Sequence, residues 1–309
     1  MLKYTIRRLL LLIPTMFFVA VIVFFLAHAA PGSPFDAKAQ GDKGLPTATI
    51  LKLEEHYGLN KSVPEQFLLY MESVAKFDFG NSFRSGRPVS DIIGDGFPVS
   101  AQLGMQALLI ALAFALPLGV VSALRQNTAV DYASLFFATI GTTIPSFVIA
   151  IFAIYLFGVT LHWLPFVGWS TPTHWILPTV ILALGPMAFL TRITRASMLE
   201  AVRQDYVRTA RAKGLREQVV IVGHVMKNAM IPVATIVGPA VAGLITGSII
   251  IEGIFSVPGI GRQFLQSILA RDYPMIMAVY LLYAFLICIA NLSVDLVYGM
   301  LDPRIKVAK

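Results

Sequence analysis

The constraint that dominates this chain is a set of apolar runs at 9–27, 97–124, 132–161, 175–190, 229–251 and 274–300. The first five carry no charged side chain, and the last holds one acid, Asp295. A bilayer core takes about 20 helical residues. In water these runs would find no cover, because the chain is 57% hydrophobic and only 13% charged. Soluble domains average about 25% charged residues. The runs therefore read as an all-α polytopic membrane protein with about six transmembrane helices. Soluble globular, collagen-like, disordered and disulfide-stapled classes are excluded. Cys288 is the single cysteine, and its place in an apolar run is that of a small packed hydrophobe.

Local residues qualify the spans. The first run follows Lys3, Arg7 and Arg8, and Ala27-His28-Ala29 resembles a signal-peptide cleavage site. A signal core is usually about 7–15 residues, so the longer run reads as a retained helix. Residues 132–161 are long for one span, and Gly141 and Pro145 predict a kink or a first part outside the hydrocarbon. Residues 175–190 are short and contain Pro178 and Pro186.

Basic residues set the orientation. The segments on the N-terminal side hold 15 Lys/Arg, eight of them within 192–227. The short opposite loops 162–174 and 252–273 hold only Arg262 and Arg271. The positive-inside rule then places both termini in the cytoplasm. Trp163, Trp169 and Trp175 cluster around one outer loop, as interfacial aromatics do. The net charge of +7 follows from this asymmetry and does not imply nucleic acid.

The long segment 31–98 is predicted to lie outside as a small folded cap. Residues 47–57 read as a short helix ended by Gly58. Pro64 sits at the predicted start of another helix, 64–76. Asp78-Phe79-Gly80 and Ser85-Gly86-Arg87-Pro88 are turn chemistry.

Several chemistries are missing. There is no G-x-x-x-x-G-K-[ST] phosphate loop, no H-E-x-x-H and no G-x-S-x-G. ATP, zinc-hydrolase and serine-hydrolase chemistry are not expected here. His28, His56, His162, His174 and His224 lack ligand spacing. Ion-coupled carriers keep acids or bases at membrane depth, and the predicted spans offer only Asp295. Its position near the cytoplasmic end reads as an interfacial carboxylate or packing partner. No energy source is visible in the chain.

The sharpest feature is 192–232. It contains Asp205-Tyr206-Val207-Arg208-Thr209-Ala210-Arg211-Ala212-Lys213-Gly214 and closes His224-Val225-Met226-Lys227-Asn228-Ala229-Met230-Ile231-Pro232. Residues 200–213 are rich in good helix formers. Gly214 suits a left-handed stop, and 217–227 resumes as a helix. Small Ala210, Ala212 and Gly214 would let a partner approach closely. On residues alone, a docking knob and a solvated basic loop stand level.

This run resembles the cytoplasmic loop of permease subunits in bacterial binding-protein-dependent ABC importers, whose pattern is E-A-A, three residues, then Gly. Arg208-Thr209-Ala210 stands where E-A-A would, and Gly214 is the glycine. Arg208, Thr209 and the distance from Gly214 to Pro232 depart from the general form. They look like the oligopeptide/dipeptide branch. Ala30-Pro31-Gly32-Ser33-Pro34, Asp78-Phe79-Gly80-Asn81-Ser82 and Gly86-Arg87-Pro88-Val89 look like that branch too. So do Glu252 through Gly261, Arg271-Asp272-Tyr273-Pro274 and Asp302-Pro303-Arg304. The likeness spans nearly the whole chain and is nearest the first of two oligopeptide permease subunits.

The resemblance implies a type I ABC importer permease fold in the bacterial inner membrane. Residues 1–96 would hold the first helix and the mostly helical periplasmic segment, and 97–309 the transmembrane domain with coupling loop 192–228. It implies a second permease subunit, two cytosolic ATPases that bind ATP and Mg, and a periplasmic peptide-binding protein, with no cofactor or enzyme activity in this chain. Glu200, Asp205, Tyr206, Arg208, Thr209, Ala210, Lys213 and Gly214 would contact the ATPase. Dipeptide, nickel or glutathione import by a sibling system is the nearest alternative. A self-sufficient channel or carrier is the rival of another class.

Beside the resemblance, Gly243-Leu244-Ile245-Thr246-Gly247 is a G-x-x-x-G, with Gly238 before it. It predicts close helix packing, within the chain or against a second permease. Thr142, Thr143, Ser146, Thr246 and Ser248 would line a passage or back-bond to their own helices; no substrate contact is assigned. The stripe Phe264-Leu265-Ile268-Leu269 after Pro258-Gly259 predicts a short interfacial helix.

Overall fold

A computed structural model describes residues 2–29, 34–35 and 47–301. The motif residues 30–33 and 302–304, and the cations Arg304, Lys306 and Lys309, lie outside the described residues, as does the side chain of Asp295. Among the described residues the chain is helical with no strand; the one isolated bridge joins Asn81 and Pro88. Five helices are long and apolar enough to cross a membrane, and a bent pair brings the number to six.

Helix α1 (Leu2–Ala29) packs its Ala20 and Phe24 against Met277 and Leu281 of α12 (Tyr273–Leu301). The cap carries α2 (Thr47–His56) and α3 (Val63–Ala75). Gly58 takes φ +69 beyond α2, the left-handed stop that its place predicts. Gly80 (φ +73) and Gly86 (φ +67) form the two turns.

Helix α4 (Val89–Leu124) begins before the charge-free run and passes straight through the 96/97 boundary. Its Ala107, Ala111 and Ala115 are fully buried, forming a groove for α7 (Pro172–Val202) and, through Val233, for the helix Lys227–Ile245. Small side chains at a four-residue spacing let helices in lipid approach closely.

The long third run is two helices. α5 (Ala129–Thr143) and α6 (Ser146–Ala153), which continues as a π-helix over Ile154–Thr160, meet at 99°. Ile144 is extended (φ −83, ψ 123) because it precedes Pro145. Gly141 packs on Ala188 and the Leu184 carbonyl. At 1.5 Å per residue, Leu184 is about 18 Å along α7 from Pro172.

After α7 comes α8 (Asp205–Ala212), then Glu217–Val219, π-helical Val220–Met226 and Lys227–Ile245, which run on as α9. α10 (Ile249–Ile254) and α11 (Ile260–Leu269) form a hairpin before α12. Phe264 of α11 is buried, while Leu265, Ile268 and Leu269 are exposed. The hairpin and the cap lie at one end of the bundle, here the cap face. α8 lies at the other, the elbow face.

Candidate functional site at the elbow

The turn between α7 and α9 is built from local rules. α7 stops at Val202, and Gln204 is extended (φ −75, ψ 150). Asp205 then opens α8 in its first turn, where a carboxylate meets the positive end of the helix dipole. The expectation of one helix over 200–213 is corrected here. Glu200 sits in the last turn of α7, on a different helix from the other coupling candidates.

α8 ends as Gly214 requires. The Gly214 N–H donates to the Arg211 carbonyl at 2.9 Å, and the Leu215 N–H to the Ala210 carbonyl at 3.4 Å. This paired pattern is the Schellman stop. Gly214 holds φ +75, and no atom of the chain lies within 4 Å of where a Cβ would be. Its glycine requirement is conformational. Arg211 closes the elbow with two bonds to Glu217, Nη2 to Oε1 at 2.7 Å and Nε to Oε2 at 3.1 Å. Hydrogen bonding to that carboxylate raises the Arg211 pKa.

One face of α8 is footing and the other is free. Val207 (0% exposed) and Ala210 (5%) pack with Ala123 of α4, Met198 and Ala201 of α7, and Val220, Val225 and Ala229 of the returning helix. Fully burying one such valine is worth about 1.5–3 kcal/mol. Ala210 is therefore a core residue of the elbow. Val207 escaped the sequence reading, although its spacing of three from Ala210 was a usable signal. Asp205, Tyr206, Arg208, Thr209, Lys213 and Gly214 are exposed, and Leu215 joins them. The Thr209 hydroxyl donates to the Asp205 carbonyl at 3.0 Å. Arg208 and Asp205 sit 3.7 Å apart in the open, a pair of little energetic weight.

The spans hold more charge than Asp295. Asp131 of α5 is 1% exposed and Glu252 of α10 is 0% exposed; both lie in candidate spans. Arg195 of α7 binds Asp131 through both nitrogens. Among the described residues Glu252 forms no ion pair. It accepts from the Ser100 hydroxyl (2.8 Å) and from the Arg262 (3.1 Å) and Ser248 (3.2 Å) N–H groups, which fasten the α10–α11 hairpin to α4. The runs as first drawn left Asp131, Arg195 and Glu252 just beyond their ends.

Within the described residues the G-x-x-x-G is not one continuous helix face. α9 ends at Ile245, so Gly247 (φ +96) lies past the helix and packs against Glu252 and Ser100. Gly243 is exposed with nothing within 4 Å. Gly238 lines an apolar cavity of 620 Å³ between α4, α9 and α12, with Leu116, Val237 and Leu286. The close glycine contact on this helix is made by Gly104 of α4, where a Cβ would overlap the Leu244 carbonyl.

Of the candidate passage hydroxyls, Thr142 bonds back to Ala138 at 3.1 Å, Thr246 bonds back to Gly243 at 3.1 Å, and Ser248 caps α10. Thr143 and Ser146 are exposed at the break. Among the described residues no three His, Cys, Asp or Glu side chains converge as metal ligands would.

Residues 115–307 match the family model "Binding-protein-dependent transport system inner membrane component", and residues 1–104 match that of the N-terminal membrane component. The dipeptide transport system permease protein DppB of Bacillus subtilis is 43% identical, covering 100% of this chain and 99% of that protein. The oligopeptide transport system permease protein OppB of Salmonella typhimurium is 42% identical over 99% of this chain and 100% of that protein. In fold, the chain is similar to the inward-facing MetNI methionine ABC transporter. That match has a TM-score of 0.53 at 16% identity, over 68% of this chain and 96% of that one. A second amino acid ABC transporter gives a TM-score of 0.51 at 15% identity, over 70% of this chain and 95% of that one.

Proposed function

This chain belongs to the family of binding-protein-dependent transport system inner membrane components, and from that membership we propose a specific division of labour at its elbow. The chain is an inner-membrane permease subunit of an ABC importer. Its cargo is short peptides, as the names of the relatives suggest. It forms half of the passage with a second permease subunit. Two cytosolic ATPases bind ATP and Mg, and a periplasmic binding protein delivers the peptide. Both termini and the elbow face the cytoplasm.

The observation that carries this reading is the elbow itself. α8 rests on a buried footing of Val207 and Ala210, is stopped by Gly214, and presents Asp205, Tyr206, Arg208, Thr209 and Lys213 outward. A short rigid helix held clear of the spans is suited to a groove on an ATPase. Alternating access then follows from ATPase closure displacing α8. Glu200 lies at the end of α7, and Ala210 seats α8 in the footing.

The test is reconstitution. Liposomes holding both permeases, both ATPases and the binding protein take up peptide only with ATP. The lone subunit takes up none. Nucleotide-free flux through the lone subunit would instead establish a self-sufficient channel. Uptake of nickel or glutathione, but not peptide, by the full complex would move the chain to a sibling system.

A further inference from the structure

A buried ion pair stands one helical turn from the elbow's apolar footing. Arg195 donates from Nε to Asp131 Oδ1 at 2.6 Å and from Nη2 to Oδ2 at 2.7 Å. The Ser122 hydroxyl donates to Oδ1 at 2.5 Å and the Asn127 N–H to Oδ2 at 2.9 Å. The Asp131 side chain is 1% exposed and that of Arg195 19%. At 1.5 Å per residue, Arg195 is about 35 Å along α7 from Pro172. The pair thus sits toward the elbow-face end of α7.

The pair adds a polar tie between α5 and α7, which also pack on each other along their length. The footing under Val207 and Ala210 draws on α4, α7 and the start of α9, and no residue of α5 enters it. Ser122 is beside Ala123 of that footing, and Arg195 is one turn before Met198. The start of α5 is therefore held to the elbow body by Asp131. From there α5 runs to the 99° break at Pro145.

We propose that the Asp131–Arg195 pair is the link through which displacement of α8 reaches α5 and the break at Pro145, making both positioning residues for the transport cycle. The bidentate geometry suits the task, because it resists rotation as well as separation. Separating the pair would leave the buried Asp131 carboxylate without its partner, which is strongly unfavourable. α5 therefore follows α7 and α8. This inference rests on the reading of α8 as the ATPase contact.

The test uses the complete complex in proteoliposomes, with a photocrosslinker in place of Lys213 reporting contact with the ATPase. In Asp131→Asn, peptide transported per ATP hydrolysed falls about ten-fold, while the crosslink and the hydrolysis rate persist. The double variant Asp131→Ala/Arg195→Ala leaves no orphan charge, so it inserts, with a Tm lowered only by the stranded Ser122 hydroxyl and Asn127 N–H. It shows the same loss. Unchanged transport per ATP in the double variant, with the crosslink intact, overturns the proposal and leaves the elbow reading standing. Absence of the crosslink in the otherwise unchanged complex overturns the elbow reading and this inference with it.

Discussion

Ser82 of the cap donates a buried hydrogen bond to Asp272, 190 positions away at the turn into α12. The same carboxylate accepts from the Phe83 N–H at 3.0 Å, so one side chain holds the cap hairpin to the last span. Asp272→Ala strands the Ser82 hydroxyl and that N–H. Leaving such groups unpaired costs about 1–3 kcal/mol each. Thermal unfolding of the detergent-solubilised complex should show a lower Tm for Asp272→Ala. A Tm equal to the parent's would mean that the cap is held by other contacts.

Gly214 gives a second prediction. Its φ of +75 costs an ordinary side chain about 1–2 kcal/mol, and asparagine tolerates this region best. Gly214→Val should abolish peptide uptake while leaving membrane insertion unchanged, and Gly214→Asn should retain most uptake. The contrast isolates conformation, because nothing in the chain crowds this position. Equal uptake by all three proteins would remove the special role of the stop.

The two faces of α8 can be told apart by labelling. In a Cys288→Ser background, single cysteines at 206, 209 and 213 should react rapidly with a maleimide supplied from the elbow side. Cysteines at 207 and 210 should react slowly, since Val207 and Ala210 belong to the footing. Comparable rates at all five positions would contradict the packed footing.

Gly104→Ala and Gly243→Ala should differ in a telling way. The first drives a methyl into the Leu244 carbonyl and separates α4 from α9. Overpacking of this kind costs about 1–3 kcal/mol. The second meets no atom of this chain. Gly104→Ala should lower the Tm of the purified subunit and Gly243→Ala should not. The reverse result would restore the G-x-x-x-G as the packing face.

The spans were legible because charge-free length is a direct demand of the bilayer. Their ends were not, because helices run on past the hydrocarbon. α7 continues through Arg192 and Arg195 to Val202, and α4 starts at Val89. That is why Asp131, Arg195 and Glu252 escaped notice, since their partners come from other helices. Prolines were equally ambiguous in one dimension. Pro117, Pro178 and Pro232 stay inside helices, while Pro145 breaks one where the preceding residue is free to extend. In the elbow, Gly214 was readable from backbone preference alone. The inward turn of Ala210 follows from packing, and the separation of Glu200 follows from the break at Gln204.

The central claim is that this subunit takes its power from an ATPase through α8. The most direct measurement is crosslinking in intact cells, with a photoreactive residue replacing Lys213. The account predicts an adduct of the size of this subunit plus one ATPase subunit, altered in yield by ATP depletion. Adducts formed only with a periplasmic protein, or with lipid alone, would contradict it.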